Sequence, residues 1–275
     1  TFLVREYGNT ESTPAPWKVG AIRYNSTTGG LRLQGVLIQD SRFEPLDRSK
    51  GAVVAINFSN DTGVTTNHRD IGIRRTIFDS TGTVEAATED QAAISVADFQ
   101  NVLVSNVHFR RTSTQPTPSE MRGVRANVVN GLVEYAYCED IGSAGSQNEC
   151  VTVSASSGTG LGTLDGLTVT VKNSAALSAN RAFAVNKANS SLTVQHAVVV
   201  TAQADQILRI GSASATLTVR DSIFLQLSGT AQLLTNSLNG AFVKHRHEPP
   251  YRRSRGLVLL DFFDWPEPRD FFEKY

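Results

Sequence analysis

The chain of 275 residues carries 26 Lys and Arg against 26 Asp and Glu, so its formal net charge is zero. Charged residues make up 19% and hydrophobic residues 40%, too little charge for a coiled coil and too much apolar sequence for a disordered chain. A pI near 6.9 argues against a nucleic-acid partner bound through global charge. No apolar run reaches the length of about 18 residues that membrane insertion as a helix requires.

The chain opens on a stretch that does not repeat and then turns repetitive. Residues 1–30 contain Pro14, Pro16, Gly29 and Gly30, and we interpret them as a neck or linker. In residues 31–240 one phrase recurs about every 25 to 40 residues: an apolar–x–apolar triplet, polar residues, then an apolar pair. The copies lie at Asp70–Phe78, Asn101–Phe109, Asn130–Cys138, Gly166–Thr170, Ser191–Gln195 and Ala215–Phe224.

A second, shorter alternating segment precedes most copies, as at Ala52–Phe58, Val151–Val153 and Ile207–Ile210. Period-two alternation bounded by Gly, Asn, Asp and Ser predicts short strands. No helix-length pattern lies between them, which argues against βαβ units. Six or seven such units predict a solenoid whose coils bury their inner faces against one another. A β-sandwich is the alternative, but the repeat is long for hairpin-linked strands.

Two phrases, Asn101-Val-Leu-Val-Ser-Asn-Val-His-Phe109 and Leu217-Thr-Val-Arg-Asp-Ser-Ile-Phe224, resemble coils of the right-handed parallel β-helix in the pectate-lyase-like superfamily. The resemblance implies an all-β solenoid of roughly seven coils with a non-repeating C-terminal cap. That superfamily includes polysaccharide lyases, glycoside hydrolases, esterases, bacteriophage tailspikes and surface adhesins. The Asn-Thr-Asp, Gly-His-Gly and Trp-Ile-Asp-His motifs of its pectinases are absent here, so the resemblance informs fold more than function.

Stacking the copies assigns residues to an inner or an outer face. One predicted inner column contains Ile71, Val102, Leu167, Leu192 and Leu217, and a second contains Ile73, Val104, Val133, Val169, Val194 and Val219. Thr168, Thr193 and Thr218 form a predicted outward hydroxyl ladder. Such a ladder is either a solvated strand face or a glycan contact.

Charged residues follow the repeated strand at matching positions. Asp79, Arg110 and Glu139 are predicted successive rungs and our candidate catalytic residues, because paired carboxylates serve as acid and base and an arginine neutralises an acidic sugar. Ser80, Arg111 and Asp140 form the next column, and Glu134 is placed outward between Ser105 and Thr170. The alternative is a salt-bridge ladder without catalytic role. The candidate substrate-binding residues are Arg111, Glu134, Asp140, Thr168 and Thr193.

Cysteine and histidine give weaker signals. Cys138 and Cys150 either bridge the connecting loop or remain two buried thiols. His245 and His247 do not define a metal site by themselves, and we predict neither a metal nor a cofactor. His108 and His196 are each expected to be surface histidines rather than general bases.

The composition changes again over residues 241–275, which combine a basic run with Leu257–Leu260 and several aromatic residues. The last coil of a solenoid exposes an apolar cross-section, so this tail is expected to be a cap or a subunit-interface segment.

These features favour a bacteriophage tailspike-like or tail-fibre-like protein that binds bacterial surface polysaccharide and, if catalytic, cleaves it. The resemblance implies a homotrimer and a location in the virion tail or outside the cell. The alternatives are a secreted polysaccharide lyase or glycoside hydrolase, and a non-catalytic adhesin or structural stalk.

Overall fold

The computed structural model describes residues 2–4, 21–26, 33–45, 54–60, 68–79, 83–84, 92–111, 120–139, 149–154, 164, 166–177, 181–201, 206–226, 232–236, 242–245 and 257–259. The strands in chain order are β1 (Phe2–Val4), β2 (Ile22–Ser26), β3 (Gln34–Gln39), β4 (Arg42–Pro45), β5 (Ile56–Asn60), β6 (Arg69–Asp79), β7 (Thr83–Val84), β8 (Ile94–Arg110), β9 (Glu120–Glu139), β10 (Glu149–Val153), β11 (Thr168–Lys172), β12 (Ala175–Leu177), β13 (Arg181–Val185), β14 (Ser191–Gln195), β15 (Val198–Thr201), β16 (Gln206–Ile210), β17 (Thr216–Arg220), β18 (Ile223–Gln226), β19 (Gln232–Asn236), β20 (Phe242–His245) and β21 (Leu257–Leu259). Within these ranges all regular structure is strand, which confirms the all-β class.

The strands pair in three ladders, which are parallel throughout. Ladder A joins β2, β5, β8, β9, β10, β13, β16 and β19. Ladder B joins β3, β6, β8, β9, β11, β14, β17 and β20. Ladder C joins β1, β4, β6, β8, β9, β12, β15 and β18. Two further pairings, β7 with β9 and β18 with β21, are antiparallel.

Partners in the parallel ladders lie far apart in the sequence. The separation runs from 23 residues, between Thr168 and Ser191, to 41 residues, between Phe2 and Phe43. Parallel neighbours need crossover connections of this size, whereas hairpins and sandwiches produce antiparallel neighbours. The sandwich alternative is therefore wrong for the described strands, and the predicted parallel stacking is confirmed.

One column of buried side chains runs through ladder C. Phe43, Phe78 and Phe109 occupy successive rungs and stack face to face, with ring centroids 5.3 and 5.0 Å apart. The column continues through Cys138, Ala176, Val199 and Phe224, all at most 1% exposed. Because each residue packs on its counterpart in the next rung, the column buries apolar area continuously.

The corner between ladders B and C has the same backbone conformation in seven rungs. Its residue has a positive φ each time, at Asp40, Arg75, Asn106, Tyr135, Asn173, His196 and Asp221. The following position often holds a hydroxyl: Ser174 Oγ donates to the carbonyl of Lys172 at 2.8 Å and accepts from the Ala136 N–H at 3.1 Å. The hydroxyl thus fixes the corner both through a bond within its own segment and through a bond to the adjacent rung.

Cys138 and Cys150 form a disulfide, which resolves the alternatives left open by the sequence. Cys138 lies near the end of β9 and Cys150 near the start of β10, and both are fully buried. The bridge closes a separation of 12 residues and ties ladder C to the next strand of ladder A. A loop of this size corresponds to about 3 kcal/mol in the chain-entropy account of disulfides.

The inner columns are correct except at one repeat. Val169, rather than Leu167, pairs with Leu192, and Val171 pairs with Val194. Strand β11 therefore stands two residues away from the predicted alignment. A slip of two residues keeps every side chain on its original face, so the apolar alternation in the sequence fits both alignments equally well.

Because of the same two-residue shift, the outward threonine ladder contains a different threonine of β11 from the predicted one. Thr168 pairs with Ser191, and the residue that precedes Thr193 and Thr218 in their column is Thr170. The predicted adjacency of Thr193 and Thr218 is confirmed, and the predicted adjacency of Thr168 and Thr193 is wrong.

Strands also occur outside the predicted repeat region. β1 and β2 fall within residues 1–30 and pair into ladders C and A. β20 and β21 fall within residues 241–275 and pair with β17 and β18. The cap or interface role of the C-terminal segment stays a prediction.

Replacing Phe78 with alanine removes the middle ring of the aromatic stack, so we expect a loss of about 3–5 kcal/mol in unfolding free energy. Urea unfolding followed by circular dichroism measures the change. The matched control is Leu37→Ala, because Leu37 is 53% exposed, and its loss should stay below about 0.5 kcal/mol. Equal losses at the two positions would contradict the stacked core.

Candidate functional site

Asp79 is held between two arginines. Its Oδ2 accepts from Arg42 Nη2 at 3.0 Å and from Arg110 Nη2 at 2.9 Å, and its side chain is 2% exposed. The register pairs Asp79 with Arg110 and Arg110 with Glu139, so the predicted rung order is confirmed. Two arginines bond to this carboxylate, and it is shielded from solvent. It is therefore better suited to holding neighbouring strands together, as an ionic clamp, than to acting as an acid or a base.

Glu139 has a different environment, because its side chain is 47% exposed. Its Oε2 lies 3.0 Å from Nε2 of His108, whose ring lies 4.8 Å from that of Tyr137. Burial lowers the pKa of His108 below its usual value, and the nearby Glu139 only partly opposes this effect. The imidazole is therefore neutral at pH 7, and the carboxylate beside it can orient its proton.

Glu134 belongs to the outer side of ladder B. Its Oε1 accepts from Ser105 Oγ at 3.2 Å, and Ser105 Oγ accepts from Asn106 Nδ2 at 3.1 Å. Its neighbour in the next rung is Lys172, and the predicted neighbour Thr170 pairs with Leu132 instead. The two-residue slip in β11 explains this error as well.

The other four predicted substrate-binding residues differ in their surroundings. Thr168 is exposed and its Oγ1 accepts from the Asn130 N–H at 2.9 Å. Thr193 and Arg111 are half-buried. Asp140, like Ser80 in the same predicted column, lies outside the described residues. The roles assigned to these residues stay predictions.

Ladder A carries a buried ionic cluster. Glu149 pairs in register with Arg122 and Arg181, and its Oε2 lies 3.8 Å from Arg122 Nε. Burial raises the pKa of Glu149, opposed by the charges of Arg122, Arg181 and Arg209. The side chains of Arg122 and Glu149 are 5% and 2% exposed, so a polymer at the surface does not reach them.

His196 and His108, the two histidines expected to lie at the surface, differ in their environment. His196 Nε2 lies 3.6 Å from Asp221 Oδ2 in an exposed pair, in keeping with a surface residue. His108 combines partial burial with a carboxylate and an aromatic neighbour. Within the described residues no three His, Cys, Asp or Glu side chains converge to hold a metal ion. His247 lies outside those residues.

Sequence reasoning missed the aromatic residues of β9. Tyr135 occupies the B–C corner with φ of 52° and is 40% exposed, and Tyr137 lies two residues later beside His108. The signal was present in the repeat, because a corner position that holds Asn or Asp in several copies holds tyrosine in this one.

No family model, curated protein or solved structure matches this chain. Among the described residues, no helix has the length and apolarity to cross a membrane.

Replacing Asp79 with asparagine leaves Arg42 and Arg110 beside a neutral amide. We expect a loss of roughly 1–3 kcal/mol in unfolding free energy, below that of a fully buried pair because both arginines are partly exposed. Chemical denaturation measures it. Asp221→Asn, which breaks the exposed pair with His196, is the control and should cost at most about 1 kcal/mol. A negligible effect of Asp79→Asn would contradict the clamp.

Proposed function

We propose that the chain forms a right-handed parallel β-helix of roughly seven coils with a C-terminal cap, like those of the pectate-lyase-like superfamily. In this proposal it binds bacterial surface polysaccharide as bacteriophage tailspikes and tail fibres do. Its place would be the virion tail or the extracellular medium. The disulfide between Cys138 and Cys150 supports an oxidising compartment, since cytosolic thiols are kept reduced.

The observation that carries this proposal is a pair of polar columns on the outer side of ladder B. One contains Thr170, Thr193 and Thr218, and the other contains Glu134, Lys172, Gln195 and Arg220. All these side chains are half-buried rather than covered. Rungs about 4.8 Å apart then present hydroxyl, amide and charged groups at regular intervals, which suits a long chain of sugar hydroxyls.

The binding test replaces Thr170, Thr193 and Thr218 together with valine, which keeps the β-branched shape and removes three hydroxyls. We expect the dissociation constant for a polysaccharide that the wild type binds to be at least tenfold larger, as measured by isothermal titration calorimetry. Leu37→Ala is the control, because Leu37 lies in the same outer column, four rungs from Thr170. Unchanged affinity in the triple variant would exclude this face.

Cleavage of the polysaccharide is a second candidate function, and the contact between His108 and Glu139 favours it. A neutral imidazole oriented by a carboxylate is suited to general-base catalysis. Asp79 is a weaker candidate than Glu139, because two arginines occupy its carboxylate.

Release of reducing ends from bacterial polysaccharides tests cleavage. We expect His108→Asn and Glu139→Gln each to lower the rate at least tenfold, or about 1.4 kcal/mol in barrier. The wild-type rate should fall in acid with a midpoint below 6.5, the ordinary histidine value, because burial lowers the pKa of His108 and the imidazole becomes protonated only at that lower pH. The matched control is His196→Asn, which disrupts the other histidine–carboxylate pair. A protein that binds but releases no reducing ends acts as an adhesin or binding stalk.

Homotrimer formation belongs to the same proposal. Ladder C carries two outward apolar columns, Ala175–Val198–Ile223 and Leu177–Val200–Leu225, and all six side chains are half-buried, like the threonines of ladder B. Apolar side chains are enriched in the centre of subunit interfaces.

Size-exclusion chromatography with light scattering should give three times the chain mass of 29.7 kDa. Val200→Lys places a charge in the apolar columns and should shift the mass toward the monomer. A wild-type monomer at micromolar concentration would count against the trimeric spike and favour a secreted enzyme or a monomeric adhesin.

A further inference from the structure

His68 is a polar residue at a position where its neighbours are apolar. Leu33, His68 and Phe99 stand on successive rungs at the corner between ladders A and B, each one residue before the positions where β3, β6 and β8 begin to pair. Phe99 is fully buried and His68 is 3% exposed. A residue that breaks a local packing rule in this way is expected where it has a role besides packing.

The imidazole of His68 is bonded to the main chain of the neighbouring rung. Its Nδ1 lies 3.0 Å from the N–H of Leu33, and the carbonyl of Leu33 accepts from the N–H of Arg69 at 3.1 Å. A main-chain N–H can only donate, so Nδ1 is the acceptor and the proton of the neutral ring is on Nε2. An imidazolium carries protons on both nitrogens and therefore has no acceptor for Leu33.

Two aromatic rings pack against this imidazole. The centroid of Tyr24, the titratable group on β2, lies 5.3 Å from that of His68, and the centroid of Phe99 lies 5.1 Å from it. Burial lowers the pKa of His68 below its ordinary value of 6.5. The ring is therefore neutral at pH 7, and a proton taken up in acid is placed among apolar groups.

The charged side chains on the described strands around His68 do not offset this effect. Arg23 on β2 is exposed, and β3 contains no charged residue. Asp98 on β8 accepts a main-chain N–H at 3.0 Å, and Arg69 and Asp70, which follow His68 in β6, approach each other to 3.5 Å at the surface. Burial is accordingly the cause of the lowered pKa.

We propose that His68 is an acid-sensitive latch, which holds the start of β3 to β6 through Nδ1 and releases it when the imidazole takes up a proton. In the described part of the chain β3 is the first strand of ladder B, so it pairs along one edge. The opened form binds the proton more tightly, so the latch is closed above pH 6.5 and weakens as the pH falls below that value. This inference goes beyond the proposed function, because the latch needs no ligand.

Amide hydrogen exchange resolved by NMR measures the latch directly. Protection of the Leu33 N–H, corrected for the intrinsic exchange rate, should fall at least tenfold between about pH 8 and about pH 5, with a midpoint below 6.5. The internal reference is the Ile77 N–H, which donates to the carbonyl of Ser41 at 2.9 Å between the same two rungs without a histidine. Its protection should stay constant.

His68→Asn is the matched variant, because asparagine places Oδ1 where histidine places Nδ1 and does not titrate. Protection of the Leu33 N–H should then be equal at the two pH values. His68→Leu suits the apolar column but supplies no acceptor, so protection should be low at both. Nitrogen NMR of isotope-labelled histidine in the wild type should show Nδ1 unprotonated and Nε2 protonated at about pH 8.

Each outcome supports or overturns the latch. Acid loss of Leu33 protection in the wild type but not in His68→Asn supports it. The same loss in His68→Asn, or an equal loss at Ile77, indicates general acid unfolding and overturns it. Unchanged protection of Leu33 in the wild type, or a proton on Nδ1 at about pH 8, also overturns it. Polysaccharide binding is decided separately, by the calorimetric test of the threonine column.

Discussion

The parallel register is the constraint on which the rest of this structure depends. Because each strand of a ladder bonds in register to the next strand of that ladder, a residue's position in one strand determines its neighbours in the two adjacent strands. Phe43, Phe78 and Phe109 stack for this reason, and Asp79 meets Arg110 for the same reason. Apolar residues on the inside therefore stabilise the stack cooperatively, since each ring is covered by the next one.

The same register determines which positions must hold similar residues in every rung and which positions can hold different ones. Inner columns are restricted to side chains that pack on their counterparts, and the B–C corner is restricted to a left-handed backbone. Outer positions carry no such restriction, so threonines can form one column and charged groups another. Side chains that differ from one rung to the next are consequently found on the outer side and at the corners, as at Tyr135.

Much of this organisation is predictable from the sequence, because alternation and repeat length are properties of the chain itself. The parallel stacking, the rung order Asp79–Arg110–Glu139 and most inner columns follow from them. The alignment of β11 does not, since a slip of two residues leaves the apolar pattern unchanged. Burial of Asp79 by two arginines and the positive φ at Tyr135 are likewise properties of three-dimensional geometry, which a periodicity cannot encode.

Asp79 and Glu139 show why column membership alone does not assign a role. Both belong to the same outer column of ladder C, and Arg110 lies between them in register. Arg110 bonds to Asp79, which also receives Arg42 from β4, so that carboxylate is neutralised and covered. Glu139 has Leu177 as its next neighbour, and its contact is with His108. One change from a charged to an apolar neighbour thus leaves the second carboxylate accessible, and accessibility is what a catalytic or sugar-binding group requires.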